Sequence, residues 1–194
     1  MKDRARVVII GAGIVGASTA YHLAQSGCTD VLVVDQGPLF DTGGSTSHAP
    51  GGVFQVNYSK TMTEFARYTT QLYSGLESDG LPAWYPVGSL EVAWSNERLI
   101  DLRRKLGVAR SWGVAADLLS PQHANDLIPL LSSQIQGALH VPSDGIARAV
   151  RAVEAMASDS ESMGVEFVGN VVVTGFDIVD GRIRGLQTSK GPIE

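Results

Sequence analysis

Gly11-Ala12-Gly13-Ile14-Val15-Gly16 and Asp35 carry the first chemistry legible in this chain. The glycine run follows a β-branched apolar tetrapeptide, Val7-Val8-Ile9-Ile10, and opens a stretch of helical periodicity from Ile14 to Ser26. Asp35 closes a second apolar run, Val31-Leu32-Val33-Val34, 19 residues beyond Gly16. That order is the order of a βαβ unit that holds a dinucleotide. Gly11 permits the tight turn, Gly13 lets the backbone approach a pyrophosphate, and Gly16 lets helix and strand pack closely. The amides that open a helix lack intrahelical partners, and with the positive end of the helix dipole they attract a diphosphate. A carboxylate at position 35 accepts from a ribose hydroxyl and repels a 2′-phosphate. A tight turn with no ligand is the competing reading of the same glycines, and the motif alone does not separate NAD from FAD.

The surrounding elements must position these residues. Val7–Ile10 and Val31–Val34 read as strands buried on both faces of a parallel sheet, and Gly27 as the stop of the helix between them. Residues 37–58 form a long loop that includes Gly43-Gly44-Ser45-Thr46-Ser47-His48-Ala49-Pro50-Gly51-Gly52, more than a connector needs. An NAD domain continues with regular βα alternation; an extended FAD needs such a loop along its ribityl chain, so the loop favours FAD. Met62, Phe65, Ala66, Thr69, Leu72, Tyr73 and Leu76 predict an amphipathic helix over 60–77. From Pro82 to Pro142 the pattern changes to that of a second domain inserted into the first. Leu90, Val92 and Trp94 alternate as one face of a strand, 96–112 reads as a helix, and Ser120-Pro121 as a capped helix start ahead of Pro129. Ile146, Ala149, Val150, Val153 and Ala157 predict a further helix, and 165–168 and 171–173 predict strands. Asp180-Gly181 centres a hairpin of the type that needs positive φ.

Composition narrows the function classes. The chain has 194 residues, with Lys plus Arg 15 against Asp plus Glu 20, a formal charge of −5. No basic block offers a footprint for nucleic acid. Apolar residues at 44% and charged ones at 18% indicate a folded chain. The single cysteine, Cys28, fits a reducing compartment, and no apolar run has the length of a membrane span, so a cytoplasmic location is expected. His22, His123 and His140 have no ligand spacing, so no metal is expected. Trp84, Tyr85, Trp94 and Trp112 read as core of the second domain, or as lining of a substrate cavity.

Three of these stretches resemble a known family. Val7 to Gly16, Asp35-Gln36-Gly37-Pro38-Leu39 and Gly43 to Gly51 are similar to the N-terminal part of dimethylglycine oxidases and dehydrogenases and of sarcosine dehydrogenases, within the D-amino-acid-oxidase-like flavoproteins. Val87 to Ala93, Leu119-Ser120-Pro121 and Leu139 to Gly145 fit the same pattern, and Ser-Thr-Ser-His-Ala-Pro-Gly is its most discriminating piece. The resemblance implies an α/β fold: a Rossmann-type FAD-binding domain of the glutathione-reductase-like kind, with part of an inserted substrate domain. Its expected boundaries are 1–82 and 143–194 for the flavin domain and 83–142 for the insert, with a three-stranded meander from the 171–188 strands.

By position the resemblance also implies FAD contacts at Ile14 and Val15, at Asp35 and Gln36, along Ser45, Thr46, Ser47 and His48, and at Gly52 and Val173. It implies a covalent flavin link through a ring nitrogen of His48. Gly52 departs from the larger apolar residue that relatives place there, and Ser45, Thr46 and Ser47 also suit turns bonded to their own backbone. The implied reaction is oxidative demethylation of an N-methyl amine of the dimethylglycine and sarcosine class, with oxygen or an electron-transfer protein as acceptor. The resemblance places the catalytic residues beyond residue 194, so an incomplete, poorly stable and inactive N-terminal piece is expected, located in the mitochondrial matrix if the source is eukaryotic. An NAD-dependent dehydrogenase fragment and a non-catalytic association module are the competing readings.

Overall fold

The computed structural model describes residues 1–40 and 43–194. Two short apolar strands, β1 (Val7–Ile10) and β2 (Val31–Val34), flank α1 (Ile14–Gln25). The chain continues through β3 (Gly52–Val53), α2 (Lys60–Ser74), β4 (Glu77–Ser78), β5 (Leu81–Pro82), β6 (Trp84–Tyr85) and β7 (Ser89–Ala93). Next come α3 (Asn96–Ser111), β8 (Asp117–Leu119), α4 (Pro121–Leu127), β9 (Gly137–Val141) and β10 (Gly145–Ala147). It closes with α5 (Ala149–Ser162), β11 (Glu166–Val168), β12 (Val173–Val179) and β13 (Arg182–Thr188). By contacts these elements fall into two units: Met1–Pro50 with Leu76–Ala83 and Arg148–Glu194, and Gly51–Gly75 with Trp84–Ala147. Helix α2 therefore belongs to the second unit. Among the described residues no helix is long and apolar enough to cross a membrane.

The first unit is built on β2. It pairs in parallel with β1, Val7 opposite Val31, and with β11, Phe167 opposite Val33. All four of its residues are fully buried. Val31 and Val33 face a core with Ala17, Ala20 and Ala24 of α1 and Val153 and Ala157 of α5. Leu32 and Val34 face the opposite core, with Val171, Leu186 and Ile193. Burying such side chains is worth about 1.5–3 kcal/mol each. The small residues on α1 allow it to lie close to the sheet. Its C-terminal end is closed by Gly27 at φ +83, with the Cys28 N–H bonded to the Leu23 carbonyl and the Gly27 N–H to that of Ala24, each at 2.9 Å.

Several expectations are corrected here. β1 is an edge strand rather than one buried on both faces: its residues are half-buried, and Ile10 is 53% exposed. Ile146 belongs not to a helix but to β10, where it pairs with both Gly52 and Tyr85, and α5 begins only at Ala149. The 171–188 region gives two strands, β12 and β13, with a single Leu186–Ile193 bridge instead of a third strand. Their connecting Asp180 and Gly181 have φ of 53° and 72°, the backbone that the Asp-Gly pair predicts.

In the second unit β7, β9 and β8 form an antiparallel sheet in that spatial order. Leu90 and Val92 face Ala124 of α4, while Ala93, Leu139 and Val141 face Leu102 and Ala109 of α3. Trp94 leaves this pattern. β9 ends opposite Ala93, so nothing pairs beyond it, and Trp94 is 59% exposed rather than core. Trp84 is buried, its ring against Gly145, where a Cβ would come within 2.9 Å of it. Ser59, Ser95 and Ser120 each cap a helix by accepting from the amide three residues on. The periodicity of α2 is as expected but its buried face is rotated: Thr63 and Thr70 lie inside, and Met62 and Phe65 face outward.

Asp144 pins this unit together. Its Oδ1 accepts the Gln55 N–H at 2.8 Å and Gln55 Nε2 at 3.3 Å, and its Oδ2 accepts the Ser89 hydroxyl at 2.6 Å. Burial pushes its carboxyl above the ordinary carboxylate range, against those hydrogen bonds and the Lys105 charge, which lower it.

Two measurements follow. The folded state keeps the Asp144 proton to higher pH than the unfolded chain does. This contribution to stability therefore declines as pH rises from ~3.9 through the raised value, and Asp144→Asn flattens the decline in urea melts taken across that window. In β1, the Val7 N–H reaches the Asp30 carbonyl at 3.2 Å and the Gly11 N–H that of Val34 at 2.7 Å. Alternation then sends the Val8 and Ile10 amides to the open edge, and hydrogen exchange should find them faster than those of Val7 and Ile9.

Candidate cofactor site

The turn from β1 into α1 is set by steric constraint. Gly11 has φ +106, and a Cβ on Gly16 would lie 1.9 Å from the Gly11 carbonyl oxygen. Only glycine at 16 allows the helix to begin that close to the strand it leaves. A Cβ on Gly13 would meet only Thr46 Oγ1, at 3.1 Å.

Asp35 ties the parts of this seat together. Its Oδ2 accepts the Ala12 N–H at 2.8 Å and its Oδ1 the Gly37 N–H at 2.9 Å. Its own N–H bonds to the Val168 carbonyl at 3.0 Å and its carbonyl accepts from Val171 at 2.8 Å. One side chain thus joins the glycine turn to the loop after β2, and its backbone joins that loop to the segment after β11. Each carboxylate oxygen keeps acceptor capacity beyond its single amide. Around it Ile10, Gly11, Gln36, Gly37, Pro38, Gly43, Gly44 and Val171 to Val173 line a cavity of about 660 Å³, within the usual range for small-molecule sites. Gly11, Asp35, Gln36 and Val173 therefore line one cavity. Pro38, Gly44, Val171 and Val172 share the wall without having been expected as contacts, although Pro38 and Gly44 lie in the expected 37–58 loop and 171–173 was expected as a strand.

The loop residues divide by what their side chains reach. Thr46 Oγ1 accepts the Ile14 N–H at 3.0 Å, capping α1 from 32 residues away. The Ile14 amide is thus already paired, which corrects the expectation of a wholly uncapped helix start. Ser47 behaves as a turn former, its hydroxyl donating to the Gly44 carbonyl at 2.9 Å. His48 is exposed, with Nδ1 3.0 Å from the same Gly44 oxygen. A carbonyl only accepts, so in the neutral imidazole the proton sits on Nδ1 and Nε2 carries the lone pair. Ser45 is exposed and Val15 is 78% exposed. Gly52 lies in the second unit, in β3, paired with Ile146.

These residues suit an adenine dinucleotide. The cavity is bounded by an acid with spare acceptor capacity, and the helix start has glycines where a side chain would intrude. The Thr46 hydroxyl, while accepting from Ile14, still has its own hydrogen to donate.

Comparison with known proteins agrees. Residues 6–194 match the family described as FAD dependent oxidoreductase. The chain is 34% identical over 98% of its length to the mitochondrial pyruvate dehydrogenase phosphatase regulatory subunit of Mus musculus. It is 30% identical over its whole length to mitochondrial sarcosine dehydrogenase of Homo sapiens. Against 4-methylaminobutanoate oxidase (formaldehyde-forming) of Paenarthrobacter nicotinovorans it is 36% identical over 96% of its length. The chain spans 22–23% of the length of these relatives. Among solved structures, L-proline dehydrogenase from P. horikoshii superposes on the whole chain with a TM-score of 0.89 at 25% identity, over 51% of that protein.

The geometry separates the roles of Gly16, packed on the Gly11 backbone, and Thr46, which caps α1 from the loop. Gly16→Ala should cost more than about 2 kcal/mol, because backbone must shift, whereas Thr46→Val should cost ~1 kcal/mol, the value of a helix cap. Urea unfolding of the two variants checks the ranking.

Proposed function

This chain belongs to the FAD dependent oxidoreductase family, and on that footing we propose that it forms the FAD-holding part of an amine oxidoreductase acting on N-methyl amino acids. The observation that carries this reading is the Asp35 seat: one carboxylate locks the glycine turn to the wall of a cavity large enough for an adenosine. In this reading Asp35 and Gln36 hold the ribose, with Val173 beside the adenine. The amides at the start of α1, with the Thr46 hydroxyl, take the diphosphate. Ser45, Ser47 and His48 follow the chain toward the flavin ring. Bound FAD supplies a two-electron acceptor for the amine C–H and passes those electrons to oxygen or an electron-transfer protein.

His48 joins the flavin covalently in this proposal. With Nδ1 donating to the Gly44 carbonyl in the neutral imidazole, Nε2 would be the atom that replaces one hydrogen of the 8α-methyl; the two electrons and the protons released would pass to the flavin ring, which oxygen would then reoxidise. The names of the relatives support the substrate class, since sarcosine and 4-methylaminobutanoate are both N-methyl amino acids.

A second reading rests on one observation, the 34% identity to a regulatory subunit. There the same seat holds a nucleotide without turnover.

Reconstitution with FAD tests both readings. The chain should acquire bands near about 370 and 450 nm, and Asp35→Ala should weaken uptake by roughly tenfold or more. Colour that stays with acid-precipitated protein in the wild type and leaves with His48→Ala supports the covalent link. A colourless protein under all conditions rejects the flavin reading. A flavin-loaded full-length protein that sarcosine, dimethylglycine and 4-methylaminobutanoate all fail to bleach without oxygen favours the regulatory one.

A further inference from the structure

Helix α3 of the second unit carries five cations, and they divide into two groups. Arg98 and Lys105 are held by Glu91 of β7, and Arg98 also by Asp101. The side chains of Arg103, Arg104 and Arg110 make no ion pair or hydrogen bond among the described residues. The acids of the same helix are engaged elsewhere: Asp101 by Arg98 and the Tyr58 hydroxyl, Glu97 by the Ser95 cap.

At roughly 100° per residue, the three unpaired arginines surround one position, Gly107. Arg103 and Arg104 lie one turn before it, and Arg110 and Ser111 one turn after. Ile100, 47% exposed, extends the same face. All six residues are exposed, while Leu102 and Ala109 on the opposite side pack in the core.

Nothing inside the chain requires glycine at 107. It lies within the helix, its φ is not positive, and a Cβ there would meet nothing within 4 Å. Glycine in an exposed helix interior weakens the helix relative to alanine, and here no packing is gained in return. The result is a strip of bare helix backbone with guanidinium groups on both sides. The helix dipole favours Arg110 in the last turn, but its reach does not extend to Arg103 and Arg104 in the middle. In a chain of formal charge −5, this face stands out by its sign.

We propose that this face of α3 docks an acidic helix of a partner protein. The distance between two packed helices is set by the side chains at their crossing, and Gly107 has none. Partner carboxylates one turn to either side of that crossing pair with Arg103, Arg104 and Arg110, whose planar guanidinium groups suit carboxylates in two-pronged contact. Ile100 gives the edge an apolar contact. A lipid surface would find a single aliphatic side chain to bury. The face lies in the second unit and uses no residue of the flavin seat, so it does not depend on the flavin reading.

The test uses the 194-residue chain and an alanine-rich helical peptide of about 20 residues, with glutamates at i, i+3 and i+7 along one face. The Gly107 amide NMR signal should shift saturably, and the same peptide with glutamine for glutamate should bind roughly tenfold or more weakly. Arg103→Gln, Arg104→Gln and Arg110→Gln should each weaken binding roughly twofold to fivefold. Gly107→Leu should weaken it roughly tenfold or more, by obstructing the crossing. Gly107→Ala separates docking from a structural role: it should raise the urea midpoint and still weaken the peptide. The proposal fails if the peptide at about 1 mM leaves the Gly107 amide unmoved. It fails equally if the glutamine peptide binds as well, if Gly107→Leu binds like wild type, or if Gly107→Ala lowers the urea midpoint. Heparin or phosphatidylserine vesicles that move the signal where the peptide does not would assign the face to a polyanion or a membrane, and overturn it.

Discussion

The first unit depends on one constraint, that β2 is covered on both faces at once. Val31 and Val33 require the α1 and α5 side, and Leu32 and Val34 require the segment from Val171 to Ile193. With both layers in place, the residue after the strand has no freedom left. Asp35 is therefore delivered between the glycine turn and the 168–171 segment, where its side chain and backbone make four hydrogen bonds. The chemistry at the end of the strand is a product of how completely its middle is buried.

The loop after β2 is positioned by a different kind of contact. Thr46 reaches the helix start that the glycines leave accessible, and the 44–48 turn follows it, with Gly44 receiving both the Ser47 hydroxyl and the His48 ring. The orientation of the imidazole is thus linked, through one short turn, to the same helix start. A substitution at Thr46 changes two things together, the cap and the presentation of His48.

How much of this was legible in the sequence depends on the distance over which each feature is fixed. The βαβ unit, its glycines and Asp35 are local patterns and are found where the residues place them. The Asp-Gly hairpin and the Ser120-Pro121 cap are likewise decided within a few residues. Ile146 was misread because its apolar spacing continues into α5, and only pairing with Gly52 and Tyr85 makes it strand. Strands of two residues, such as β3 and β6, have no periodicity to detect. Trp94 follows the alternation of β7 but extends past the end of its partner strand. In α2 the helical period was evident while the buried face was not, since Thr63 and Thr70 are less apolar than the Met62 and Phe65 they displace from the interior. The Thr46 cap and the Asp144 latch join positions far apart in the chain, and no local pattern announces them.

The first unit is assembled from three separated segments, and this has a consequence for biosynthesis. On the ribosome β2 emerges early, yet β11, its second neighbour, and Val171, Leu186 and Ile193, which cover Leu32 and Val34, are translated only after the whole second unit. This wholly apolar, fully buried strand therefore waits, half-covered, while the inserted unit is made. Nascent chains of this kind fold late and lean on chaperones in the interval.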